Sequence, residues 1–157
     1  MHKFILVQTS HGNFIVIAYV KTQFIEKHNN LVNTYTNILT GIKTDNVIKT
    51  KVKGSTATCT PYAFEDSIIH IIHYSNFKVE ASAIAESKVV QFLLTNYSGG
   101  LINVSFDDSE MIIENDYSID IPGKTDRTCI ISCYSDGKNL IEYARSKPLA
   151  TPKNTKF

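Results

Sequence analysis

Apolar and polar positions alternate through the second half of the chain with a period of two. Ile102, Val104 and Phe106 repeat at every second position, Ile119 and Ile121 flank Asp120, and Cys129, Ile131 and Cys133 recur in the same way. Alternate side chains of a pleated strand share a face, so the pattern predicts half-buried strands over 101–106, 114–121, 127–134 and 139–144. Between the last two lies Ser135-Asp136-Gly137-Lys138, whose Asp-Gly pair favours the positive φ of a tight hairpin. β-branched runs predict further strands over 47–52, 56–62 and 68–74, the second of them stopped by Pro61. Over 77–96 both periods are present. Val79, Ala81, Ala83 and Ala85 alternate, as do Val90, Phe92 and Leu94, while the alanines and glutamates of 80–88 favour helix. The alternation leads to strands joined near Glu86-Ser87.

The first half opens with two short β-rich runs, 4–8 and 14–20, which read as paired strands around Ser10-His11-Gly12-Asn13. The period then changes. Phe24, His28, Leu31, Tyr35, Ile38 and Ile42 step by three or four, which makes one apolar stripe only on a helix. The spacing predicts a helix over 22–42, with Thr22 at its start and Gly41 near its end. Its asparagines and β-branched residues lower helix propensity, so packing must hold it. Together these elements predict a mainly β, two-layer antiparallel sandwich or jelly roll, with the one amphipathic helix packed on a sheet or at an oligomer contact.

Composition supports a folded domain. The chain has 157 residues, 43% of them hydrophobic and 20% charged, enough to bury one core. Residues 1–146 read as a single domain, and 147–157, with Pro148 and Pro152, as an extended arm. No apolar run approaches the roughly eighteen residues of a membrane helix, and the short run after Met1 lacks the length of a signal sequence. The expectation is synthesis in the cytoplasm without membrane insertion. Cys129 and Cys133 would share a strand face about 13 Å apart at roughly 3.3 Å per residue, too far to bridge. All three cysteines read as buried, reduced thiols. The Asn-x-Ser sequons at Asn96 and Asn103 mean little without a secretory signal.

Charge is unevenly distributed. Residues 1–60 hold seven lysines against Glu26 and Asp45, 61–144 hold thirteen acids against five bases, and 145–157 hold four bases and no acid. Basic ends around an acidic middle could complement one another between copies of the chain. With only two arginines and no alternation of aromatic and basic residues, nucleic-acid binding gains little support.

Candidate chemistry is sparse. His70 and His73 are three apart, so on a strand they face opposite ways and cannot share a metal. The acids Asp107, Asp108, Glu110, Glu114 and Asp116 lack the register of a calcium loop and read as a polar connection between strands. No Gly-x-Ser-x-Gly elbow or phosphate-binding loop occurs. The reading assigns no catalytic residue, cofactor or metal. Its partner contacts are Lys147, Leu149, Lys153, Lys156 and Phe157, where apolar anchors and lysines on an extended arm suit binding along an acidic neighbour.

The segment Ile121-Pro122-Gly123-Lys124, then Cys129 to Tyr134, then Asp136-Gly137 through Glu142 to Arg145-Ser146, resembles the closing strands of β-sandwich virion proteins of tailed bacteriophages. It departs from them at Leu140, where an aromatic is common. The resemblance covers about twenty-five residues and implies a structural, non-enzymatic subunit of a phage-like capsid or tail, bound to other copies or other subunits. A second likeness lies at the other end. Met1 to Val7 with Gly12 and Tyr19, followed by a helix, looks like the opening of the longin-fold small subunits of vesicle-coat adaptors, which implies a trafficking role instead.

Overall fold

A computed structural model describes residues 14–39, 47–113, 118–121 and 127–150. One helix, α1 (Phe14–Leu39), precedes eleven strands: β1 (Val47–Thr50), β2 (Thr56–Cys59), β3 (Ser67–His73), β4 (Phe77–Ala81), β5 (Val89–Asn96), β6 (Ile102–Phe106), β7 (Met111–Ile112), β8 (Ser118–Ile121), β9 (Arg127–Ser135), β10 (Leu140–Arg145) and β11 (Leu149–Ala150). They form two sheets. The larger has the order β1-β3-β5-β9-β10-β7, with β11 also on β9, and the smaller has the order β2-β4-β6-β8. The expected mainly β, two-layer architecture with one helix is present.

The strand directions differ from the antiparallel expectation. β1 to β8 alternate between the sheets, so the chain winds from the large sheet to the small one and back. Each strand then pairs with one about a full turn of chain away. β1, β3 and β5 are parallel, as are β2, β4 and β6. Only β8, β9, β10 and β11 add antiparallel pairs. Alternation of side chains reports which face is buried, but it carries no information on which neighbour a strand pairs with. Parallel strands need a crossover, and here a strand of the opposite sheet supplies it.

Winding stacks like side chains in register. In the large sheet Ile48, Ile69, Phe92 and Ile131 follow one another across the ladders, and in the small sheet Ala57, Val79 and Phe106 do so. These rows meet between the sheets in one apolar core, where Phe92 meets Phe106 edge to face at 6.2 Å. Cys59, Cys129 and Cys133 are free thiols buried in this core. Burial pushes Cys59 up to about 12 and Cys129 up to about 11, so both stay protonated small hydrophobes.

The region 77–96 resolves into β4 and β5, joined through Ser87, which takes a positive φ of 65°. The run 14–20, expected as a strand, is instead the first part of α1, and Thr22 lies inside the helix rather than capping it. Once the stripe from Phe24 onward holds a helix on the sheet, extending it toward the N-terminus adds one hydrogen bond per residue with no new nucleation cost. The expected strand 4–8 and Gly41 lie outside the described residues. The strands that follow α1 contrast with a longin domain, which continues with helices. No helix among the described residues is long and apolar enough to cross a membrane.

Candidate functional site

The polar side chains of the core region are concentrated on one face of the large sheet, beneath α1. Alternation sends Ile69, Ile71, Phe92 and Leu94 toward the small sheet, and it sends His70, Gln91, Leu93, Thr95, Thr128, Ile130 and Ser132 to the other face, which carries the helix. Phe24, His28 and Leu31 are buried at positions i, i+4 and i+7 of α1. Phe24 stacks on Tyr134 at 5.5 Å and tilts against Tyr143 at 5.4 Å, while Leu31 packs with Leu93 and Ile130.

Two hydrogen-bonded groups lie in this layer. His28 Nδ1 is 2.7 Å from Ser132 Oγ, and Gln91 Nε2 donates to the same hydroxyl at 3.2 Å. With Gln91 donating to it, the Ser132 hydroxyl still has one proton to give and one lone pair to offer, so its role toward His28 Nδ1 follows the imidazole tautomer. Burial lowers the His28 pKa, which favours the neutral ring. The second group is His70 Nε2 with Thr95 Oγ1 at 3.3 Å, and Thr95 with Thr128 Oγ1 at 2.8 Å. Burial, aided by the charge of Lys49, brings His70 down to about 4. A serine hydrogen-bonded to a histidine is the pairing a nucleophile requires. Here it sits under the helix with Ser132 at 0% and His28 at 6% exposure. What this geometry does is fix the rotation and height of α1 on the sheet. The Tyr143 hydroxyl is buried beside this group, near Ser132, and burial raises its pKa.

β10 carries a bulge between Glu142 and Ala144. In a regular strand residues three apart face opposite ways, but the extra residue restores parity. Glu142 and Arg145 therefore meet in a two-pronged ion pair, Nε to Oε1 at 2.7 Å and Nη2 to Oε2 at 2.9 Å. Ser146 closes the same region, its Oγ accepting from Ile130 N at 2.9 Å. At the hairpin, Asp136 Oδ1 accepts from Lys138 N and Asn139 N, and Gly137 takes φ 88°. Each matched residue of the bacteriophage resemblance from Asp136 onward thus serves this hairpin and the strand after it.

The turns form the second candidate region. Those leaving the large sheet, 51–55, 74–76 and 97–101, stack along one edge, tied by Lys78 N to Ser55 O, Tyr97 N to His73 O and Asn103 N to Asn76 Oδ1. Those returning, 60–66, 82–88 and 107–110, stack along the opposite edge, tied by Ala85 N to Ala63 O and Ala83 N to Glu110 Oε2. Large apolar side chains stand out from both. Tyr74, Tyr97 and Leu101 are 70%, 58% and 69% exposed on the first edge, and Phe64 and Tyr62 are 80% and 43% exposed on the second.

His70 and His73 do face opposite ways: His70 bonds Thr95 on the face turned away from the inter-sheet core, and His73 bonds Ser75 Oγ at 2.9 Å and meets Phe77 edge to face. The acids at 107–110 work in the turn, where Asp107 Oδ1 accepts from Ser109 N and Glu110 bonds Ala83. Asn96 has 0% exposure, its amide donating to Gly100 O and Ile121 O while its Oδ1 accepts from Ser98, so this sequon is closed in the folded chain. Of the expected partner contacts, Lys147 is exposed. Leu149 packs against its own domain near Leu93 and Ile130, with β11 antiparallel to β9. Lys153, Lys156 and Phe157 lie outside the described residues. Sequence reasoning missed the turn edges as surfaces, although Phe64, Tyr74 and Tyr97, each set among turn residues, were a visible signal. No protein-family model matches the chain, and no curated protein or solved structure matches it.

Proposed function

We propose that this chain is a non-enzymatic structural subunit of a larger assembly, and that the assembly is a phage-like virion. The observation that carries the subunit reading is the set of large apolar side chains held outward on the turns of a rigid two-sheet body. Phe64, Tyr74 and Leu101 are each more than two-thirds exposed. Large apolar side chains exposed on a folded domain are surface that protein contacts cover, and here the stacked turns of the two opposite edges present them. The virion assignment rests on the resemblance of the closing strands. Sedimentation velocity over rising concentration tests the first part, with growth beyond the monomer expected. Mass spectrometry of purified particles from the source organism tests the second. A chain that remains monomeric throughout and is recovered only outside particles would end the proposal.

A further inference from the structure

The two turn edges carry opposite charge as well as apolar side chains. The edge with Tyr74, Tyr97 and Leu101 also holds the exposed Lys51 and Lys53, and no acid lies in its three described turns. The edge with Tyr62 and Phe64 holds the exposed Glu65, Glu86 and Asp108. The strands separate these edges by roughly 20 Å at about 3.3 Å per residue, so one copy cannot satisfy both by folding on itself. We infer that copies of this chain join head to tail, the acidic aromatic edge of one seating on the basic aromatic edge of the next.

The apolar rings supply contact area, and the charges set which edges meet. Like edges repel, so a two-fold dimer through one edge is disfavoured, while unlike edges attract. A contact between two different surfaces of the same molecule leaves one of each unfilled after every addition, so growth continues unless the rotation closes a ring. Because the charges are exposed, association should weaken with salt. The inference rests on the subunit reading and names the surfaces that reading leaves open.

The test uses charge reversal on each edge. Lys51→Glu with Lys53→Glu alters only the basic edge, and Glu65→Lys with Asp108→Lys alters only the acidic one. All four side chains are exposed, so the melting temperature of each variant should match that of the unaltered chain. In sedimentation velocity the unaltered chain should grow into a series of oligomers, and each one-edge variant should associate at least tenfold more weakly. An equimolar mixture of the two variants presents both unlike pairs, the native one and the exchanged one, and should grow again as an alternating series. The chain carrying all four reversals has its edges exchanged and should grow again. Phe64→Ser should weaken growth about tenfold without changing the charge. Folded one-edge variants that assemble as well as the unaltered chain would overturn the inference and leave the subunit reading intact. An unaltered chain that never leaves the monomer would overturn both.

Discussion

The large sheet is covered on both faces, and the two interfaces follow different rules. Toward the small sheet it presents Ile69, Ile71, Phe92, Leu94 and Ile131, all at 0% exposure and all apolar. On the face that carries α1 it presents His70, Gln91, Thr95, Thr128 and Ser132, also buried, with His28 coming down from the helix. The first interface is held by rows of apolar side chains stacked along the winding, and its energy depends on volume and closeness of fit. The second combines an apolar cluster of Leu31, Leu93 and Ile130 and the ring contacts of Phe24 with these polar side chains. A buried hydrogen bond, His28 to Ser132, crosses from helix to sheet. Apolar packing gives cohesion that tolerates pH. A polar layer gives a single seating for the helix and makes that seating sensitive to protonation.

The largest expected effect lies in the apolar layer. Phe92→Ala should destabilise the protein by about 3–5 kcal/mol, because it removes a side chain at 0% exposure and opens a cavity against Phe106. Urea denaturation measures it, and a loss below about 1 kcal/mol would mean that this layer is not close-packed.

Acid should act on the polar layer next. His70 is held at about 4 in the folded chain against an ordinary 6.5, so between these values the unfolded chain takes up a proton that the folded chain refuses. Its contribution is complete above pH 6.5 and is lost as pH falls toward 4, by about 3 kcal/mol in all. The lowered His28 and His73 act in the same direction. Urea midpoints measured across this window should fall with pH, and His70→Leu should flatten much of the slope. An unchanged slope in that variant would remove His70 as the cause.

A smaller effect is expected at the hydroxyl joining helix and sheet. Ser132→Ala should cost about 2 kcal/mol, since it strands the His28 ring nitrogen and the Gln91 amide together. A double-mutant cycle with His28→Ala should show coupling of about 1 kcal/mol, whereas additive losses would mean that the pair does not seat the helix. Outside both layers, Gly137→Ala should cost about 1 kcal/mol through its φ of 88° alone, with no change in pH dependence. Thermal melts at pH 5 and pH 7 would distinguish this turn effect from either layer.

Nearly every strand was legible locally. The alternation at 102–106 and 127–135, the Asp136-Gly137 turn and the switch of period at Phe24 each reflect a constraint that acts within a few residues: the pleat, the positive φ, the helical repeat. The joint near Ser87 was legible for the same reason, despite the helix-favouring alanines around it. The start of α1 was not, because 14–20 is locally β-rich and becomes helical only as the continuation of a stripe that the sheet holds in place.

The chain's own pattern therefore determined which side chains are buried together and how many layers they make. Direction and partnership were decided only in three dimensions. Val79 lies between Ala57 and Phe106, and Phe92 between Ile69 and Ile131, pairings that span more than twenty residues and leave no trace in a period of two. The same holds for the surfaces. Lys51 stands on the same edge as Tyr74, and Phe64 on the same edge as Asp108, only because the chain winds between two sheets and stacks its turns.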